Sequence, residues 1–209
     1  MLIDFRELFP KYNIKPKGVL HVGANIGEEA EVYHDLKIPR VSWIEANPEI
    51  YQRLKSNLNL YDGQQAFNYC IGDEDKDTVL HISNNGSQSS SILELGSHRE
   101  AHPEVHYIAN QPMKMHRLDT LFSQGKLPTA NMPDFLNCDI QGAELMAIKG
   151  LGSYIDSFKW MYLEVNKESL YIGCCIIDEL DSYLGDHGFT RIETKWCGNT
   201  GWGDALFSR

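Results

Sequence analysis

"GVLHVGANIGEEA", residues 18–30, runs from strand-forming residues through two closely spaced glycines into acidic, helix-favouring ones. "GVLHV" (18–22) reads as a buried strand, and the segment from Ile26 to Leu36 has helical character up to the break at Pro39. Between them, Gly23 and Gly27 can take backbone angles closed to other residues and, lacking a Cβ, let a ligand lie against the chain. A helix starting just after them offers free N–H groups.

The same alternation continues outward. "VSWIE" (41–45) is a second strand, after which Asn47 as N-cap and Pro48 in the first turn open a helix whose apolar positions Ile50, Leu54 and Leu58 recur every four residues. Strand, helix, strand, helix implies right-handed βαβ units and a parallel, doubly wound α/β sheet. "QQAFNYCIG" (64–72) reads as a third strand and "DTVLHIS" (77–83) as a fourth at a sheet edge or in a hairpin. Residues 84–111 dissolve into Ser, Gly, Asn, His and Pro, and a loop of that length in a compact domain reads as a lid or substrate loop. Beyond it, "MKMHRL" (113–118) is a short strand, "DTLFS" a helical turn, "PDFLNCD" (133–139) a buried strand and "GAELMAIKG" a helix ended by Gly150. "SFKWMYLEVN" (157–166) is the next strand, 176–184 an amphipathic segment, and "GFTRIETKW" with "GDALFSR" a closing antiparallel hairpin. Neither an internal repeat nor a linker divides the chain, so one domain over residues 1–209 is expected.

Composition narrows the function classes. Nineteen basic against 29 acidic residues give a net charge of −10, without a Lys/Arg-rich run, which disfavours nucleic acid as partner. No apolar stretch is long enough for a membrane span, and the charged N-terminus lacks the apolar centre of a signal peptide. The five cysteines, Cys70, Cys138, Cys174, Cys175 and Cys197, fit neither a disulfide framework nor a zinc site. Reduced thiols and a cytoplasmic location are expected.

In a doubly wound sheet, ligands bind beyond the carboxyl ends of the strands. The glycine spacing is G-A-x-x-G rather than the G-x-G-x-x-G of dinucleotide sites, and Glu45 follows Gly23 by 22 residues, near the distance at which an acid meets ribose hydroxyls. A nucleoside ligand is expected, and S-adenosylmethionine, which carries no phosphate, suits the shorter turn.

"GVLHVGANIGEEAEVY", "VSWIEANPEIYQRLKSNL", "FLNCDIQGAELMAIKG" and "LEVN" together resemble the FkbM-type methyltransferases, a branch of the class I S-adenosylmethionine-dependent enzymes. The resemblance covers residues 17 to 208, and the D-x-[QE]-G-A-E block at 139–144 is its most specific element. It implies a three-layer αβα, Rossmann-like fold with a seven-stranded, mostly parallel sheet and an antiparallel last strand. It also implies bound S-adenosylmethionine and O-methylation of hydroxyls on sugars or natural products. By this resemblance Gly23, Ala24, Asn25 and Gly27 shape the cofactor turn, and Glu45, followed by Ala46, holds the ribose. Ile71, Gly72 and Asp73 lie by the adenine, and Asp139 and Ile140 flank the methionine portion. Two departures stand out: His21 occupies the cofactor-side position where many class I enzymes have an acid, and Asn137 stands where the family often has a lysine.

A hydroxyl acceptor must lose its proton, and Asp139 at a strand end, Glu144 at the start of the following helix and Glu164 beside them are the candidate carboxylates. Glu144 also reads as a first-turn acid complementing its helix dipole. Glu164 and Asn166 offer oxygen ligands to a divalent cation, though none is expected and no metal ligands are assigned. His98, His102, His106 and His116 fall in or after the long loop, the "SQSSS" run at 87–91 could donate hydroxyls to a sugar, and Trp196 and Trp202 could stack or pack. No [DN]-P-P-[YF] follows at Asp139, and Cys138 is not preceded by proline, so oxygen methylation is preferred over nitrogen or carbon. The sequence thus points to an O-methyltransferase acting on a saccharide hydroxyl of a glycan, glycolipid or nucleotide-sugar precursor. The alternatives are a polyketide or other small-molecule hydroxyl as acceptor, and a nucleoside-binding protein without chemistry.

Overall fold

The protein is described here by a computed structural model covering residues 1–209, in which ten strands form two sheets. The strands are β1 (Val19–Val22), β2 (Val41–Glu45), β3 (Gln64–Asn68), β4 (Cys70–Ile71), β5 (Lys76–Ser83), β6 (Tyr107–His116), β7 (Phe135–Cys138), β8 (Trp160–Asn166), β9 (Thr190–Trp196) and β10 (Trp202–Ser208). The helices are α1 (Phe5–Lys11), α2 (Ala30–Asp35), α3 (Pro48–Leu58), α4 (His98–Ala101), α5 (Leu118–Ser123), α6 (Glu144–Lys149) and α7 (Ile177–Asp186).

The main sheet has seven strands in the order β3-β2-β1-β7-β8-β10-β9, and β10 runs antiparallel between β8 and β9. Strand order reverses between β1 and β7, and such a switch point opens a crevice for ligands. Their register sets Val22 beside Cys138, so the turn at Gly23 and the acid Asp139 leave the sheet side by side.

β1 and β7 are buried along their whole length, as parallel strands covered on both faces must be. Alternate residues go to opposite layers. Leu20, Val22, Leu136 and Cys138 join α5, α6 and α7 in one core, whereas Val19, Trp43 and Phe135 join α1, α2 and α3 in the other. The result is the three-layer, Rossmann-like arrangement anticipated from the element order. No helix is long and apolar enough to cross a membrane, and all five cysteines are free thiols.

Several boundaries differ from the sequence expectation, each for a local reason. Asn25 (φ 44°) and Gly27 (φ 80°) are left-handed, so the helix cannot begin at Ile26 and starts at Ala30. The expected third strand breaks at Tyr69, where the Asn68 amide donates to the carbonyls of Glu45 (2.8 Å) and Ala46 (2.9 Å) and turns the chain away. Cys70 and Ile71 then join a second sheet, ordered β4-β6-β5. β6 starts at Tyr107, which takes part of the expected 84–111 loop into regular structure. The remaining loop is anchored by bridges from Ser91 to His81 and from Leu95 to Tyr171. Helix α1 has no counterpart in the sequence reading. Asp4 caps it by accepting from Arg6 N (2.8 Å), and Phe5, fully buried, lies against Tyr33, Phe135 and Tyr162 at centroid distances of 5.7, 5.7 and 4.8 Å.

Candidate active site

A cavity of about 530 Å³ opens beyond the carboxyl ends of β1, β2, β7 and β8, a size typical of small-molecule sites. Gly23, Ala24, Asn25, Glu45, Ala46, Ile71, Asp139, Ile140 and Glu164 all line it, together with His21. Gly27, Gly72, Asp73 and Glu144 lie outside the lining. A Cβ on Gly27 would stand 2.8 Å from Leu54 Cδ1, so this glycine lets the turn close on α3. Gly72 packs on Met115, and the Asp73 carbonyl accepts from Arg117 Nη1 (2.6 Å), so both support the cavity wall from behind.

At one end, Glu45 ties two strand-end turns together. Its Oε2 accepts from Asn25 N and its Oε1 from Asn47 N, both at 2.8 Å. Burial pushes its carboxyl up to about 7, against the pull of those N–H donors. Each carboxylate oxygen has lone-pair capacity beyond one backbone bond, which leaves room to accept from ribose hydroxyls.

At the other end, Gln141 joins the acids. Its Nε2 donates to Asp139 Oδ1 (2.7 Å) and to Glu164 Oε2 (2.5 Å), while its Oε1 accepts from the Tyr171 hydroxyl (2.6 Å). Gln141 is left-handed (φ 56°), and that strained backbone aims its amide into the gap between two strand ends. Burial and the neighbouring Asp139 charge push Glu164 well above the usual carboxylate range. Glu144 has a different role, because its Oε1 accepts from the backbone N of Ile140 (2.8 Å) and Gly142 (3.2 Å) and so fixes the turn that carries Asp139. Burial, then the Asp139 charge, pushes it up to about 7. Of the three acids Asp139 is the least buried, and it lines the cavity together with Glu164.

Oxygens of Asp139, Glu144 and Glu164 lie within 4.8 Å of one another and could hold a divalent cation. The Gln141 amide and the Ile140 and Gly142 N–H groups already donate to all three, which supplies part of what a cation would. Asn166 is buried in register with Trp202 and does not line the cavity.

His21 and Asn137 turn out to be partners. They pair in register across β1 and β7, with Asn137 Nδ2 3.3 Å from His21 Nδ1 and donating to the Tyr33 hydroxyl (3.0 Å). Burial pulls the His21 pKa down to about 3, so the ring, stacked on Trp43 at 4.5 Å, is neutral. The two positions singled out in the sequence are therefore adjacent in space and form a neutral, hydrogen-bonded pair.

The 84–106 segment roofs the cavity. Ser87 Oγ accepts from Asn47 Nδ2 (3.1 Å), and Ser91 Oγ donates to the Gln141 carbonyl (2.7 Å), so the roof is bonded to both ends of the site. His98, His102 and Trp202 line the cavity, whereas His106, His116 and Trp196 do not. Trp196 lies under Lys167, with Nζ 4.2 Å from its ring. The sequence reading missed Gln141, Tyr171 and Asp204. Gln141 lay inside the motif without a role, Tyr171 sits in irregular chain, and Asp204 gains meaning only from its register opposite Glu164.

The cavity's lining is acidic. Its 36 lining residues include seven carboxyl side chains and neither Lys nor Arg.

The Methyltransferase FkbM domain model matches residues 21–191. The chain belongs to the FkbM methyltransferase family. The FkbM chain is 25% identical over 177 residues to 2-O-methyltransferase NoeI of Sinorhizobium fredii, an alignment covering 79% of this chain and 71% of NoeI. Among solved structures it is similar to a SAM dependent methyltransferase from Aquifex aeolicus, with TM-score 0.54 and 12% identity over 99% of this chain and 89% of that one. A ribosomal protein L11 methylase from Lactobacillus delbrueckii subsp. bulgaricus gives TM-score 0.51 at 14% identity, over 96% of this chain and 74% of that one. Sp1610 of Streptococcus pneumoniae, in complex with S-adenosyl-L-methionine, gives 0.53 at 13%, over 100% and 73%. At these identities the shared property is the class I methyltransferase fold.

Proposed function

We propose that this FkbM-family protein transfers a methyl group from S-adenosylmethionine to a hydroxyl of a saccharide, with Asp139 receiving the hydroxyl proton. The observation that carries the reading is the cavity's acidic lining, seven carboxyl side chains without a single Lys or Arg. A pyrophosphate-bearing dinucleotide or a nucleic-acid backbone calls for cationic or helix-N-terminal partners. A phosphate-free nucleoside that carries a sulfonium is itself cationic, and an acidic cavity suits it.

Bound there, S-adenosylmethionine supplies an electrophilic methyl whose bonding pair returns to sulfur as the acceptor oxygen attacks. The chain's own residues bind, orient and deprotonate. Glu45 and the Ala24–Asn25 turn hold the nucleoside end, and Ile71 lines the wall beside it. Gln141 fixes Asp139, so the carboxylate need not reorganise when the proton arrives. The roof of Ser87–Ser91 and His98 covers the acceptor end and limits water, and holding the oxygen in line supplies much of the rate. The name of the NoeI relative supports oxygen as the atom methylated.

The experiment is transfer of labelled methyl to a panel of neutral pyranosides and oligosaccharides, nucleotide sugars and polyketide alcohols. Label entering a saccharide is the expected result. Label entering polyketide alcohols alone overturns the saccharide assignment, and competition by NADH as strong as by S-adenosylhomocysteine overturns the cofactor.

A further inference from the structure

We propose that the roof end of the cavity is a second contact point for the acceptor, where His98 donates a hydrogen bond through Nε2 to an oxygen of an uncharged saccharide other than the oxygen facing Asp139. The proposal rests on the saccharide reading above and adds to it a selectivity contact and the charge class of the acceptor.

His98 lines the cavity, yet its side chain belongs to the buried set, at 6% exposure. It is held in place by neighbouring rings, with centroids 5.4 Å from Tyr171 and 5.0 Å from His102. Its Nδ1 is enclosed and has no hydrogen-bond partner. A proton on that atom would be a buried donor without an acceptor, which is more costly than a bare ring nitrogen in the same place. The proton of the neutral ring therefore sits on Nε2, the nitrogen that is not enclosed, and the ring presents a donor to the cavity. Burial lowers the pKa of this histidine, which keeps the ring in that neutral, single-donor form.

The position of the donor defines what it meets. The Tyr171 ring lies against His98, and the Tyr171 hydroxyl bonds Gln141, which bonds Asp139. His98 and the acid thus stand at the two ends of one phenol side chain, and an acceptor filling the cavity between them needs at least two oxygens. Glu104, beside His102 (Nδ1 to Oε1 3.7 Å), adds a negative charge at the roof end, and neither Lys nor Arg stands in the lining to oppose it. Phosphate, sulfate and uronate groups are repelled there, which removes nucleotide sugars from the acceptor class.

The test uses protein loaded with S-adenosylhomocysteine, a set of methyl pyranosides with their monodeoxy derivatives, and UDP-glucose as the charged comparison. The pyranoside that the wild type methylates is expected to bind roughly ten-fold more weakly to His98→Phe, with KM raised by the same factor and kcat nearly unchanged. His98→Gln, which restores an N–H donor, is expected to recover most of the loss. One monodeoxy derivative is expected to bind the wild type as weakly as the parent sugar binds His98→Phe, and to lose nothing further in the variant. Nitrogen-15 spectra of the unmodified protein are expected to show the Nε2–H tautomer, a readout independent of how the variants fold. Unchanged pyranoside affinity in a folded His98→Phe, an Nδ1–H tautomer, or UDP-glucose bound as well as the neutral sugars overturns the subsite while leaving methyl transfer standing. Failure of the wild type to bind any pyranoside overturns the saccharide reading as well.

Discussion

Gly23 and Asp139 meet backbone to backbone: a Cβ built on Gly23 would stand 1.7 Å from the Asp139 carbonyl oxygen. The turn proposed to receive the cofactor and the turn that carries the proposed base are thus packed as one unit. Gly23 also sits at φ +85°, which alone costs a substituted residue about 1–3 kcal/mol. Gly23→Ala is expected to lower the unfolding midpoint and to abolish binding of S-adenosylhomocysteine by calorimetry. Wild-type affinity in this variant would show that the two turns move independently.

Asp139 and Glu144 are separable by conservative substitution. Asp139→Asn is expected to slow single-turnover methyl transfer about 10²- to 10⁴-fold. Glu144→Gln keeps an oxygen for the Ile140 and Gly142 N–H groups, so it is expected to retain at least about a tenth of the rate while losing stability. The reverse ranking would make Glu144 the base.

Glu45 gives stability a pH signature. Its folded-state carboxyl is raised from 4.5 to about 7, so folding favours its protonated form. That contribution is complete below pH 4.5 and is lost as pH rises through about 7. In the ligand-free protein, Glu45→Gln is expected to remove a fall of up to about 3 kcal/mol between pH 4.5 and 8, read from urea unfolding at several pH values. His21, with its pKa pulled down to about 3, titrates in the opposite sense in both proteins and cancels in the comparison. Parallel pH profiles for the two proteins would refute the assignment.

Chelation separates the two ways of holding the acid cluster. Because amide and backbone N–H groups already donate to Asp139, Glu144 and Glu164, EDTA is expected to leave the transfer rate unchanged. Loss of activity on chelation, restored by Mg²⁺, would place a cation among these carboxylates.

Helix α1 contributes Phe5, Leu8 and Phe9 to the core, and none of its residues lines the cavity. Phe5→Ala is expected to cost about 3–5 kcal/mol in equilibrium unfolding while kcat of the folded fraction stays within two-fold. A change in KM for the cofactor would instead link α1 to the cavity.

The doubly wound core could be read in advance because its strands are short apolar runs punctuated by Gly, Asn-Pro and Gly150, signals that act locally. That Glu45 and Asp139 line the cavity followed from the same logic, since each stands at the carboxyl end of a parallel strand. What stayed hidden depends on contacts distant in sequence. The Asn68 amide breaks a strand by reaching Glu45 and Ala46, more than 20 residues away. The 107–112 stretch lacks a strand's alternation and is held extended by its pairing with β5. His21 and Asn137 looked like two unrelated departures until the β1–β7 register paired them. Gln141 could be seen as a motif letter, but its left-handed backbone and its two carboxylate partners could not.

The roof is one contiguous stretch of chain between β5 and β6, tied to the site by Ser87 to Asn47 and Ser91 to the Gln141 carbonyl, and to residues 169–172 by backbone bonds from Gly96, Ser97 and His98 and to Glu94. Such a segment is an exchangeable cassette: replacing residues 84–106 with a stretch of different length, while keeping the two hydroxyl anchors and the pairing to residues 169–172, would reshape the acceptor end and leave the glycine turn as it is. Diversification of acceptors within this architecture can therefore proceed by swapping one insert, with the sheet and its glycine turn left as they are.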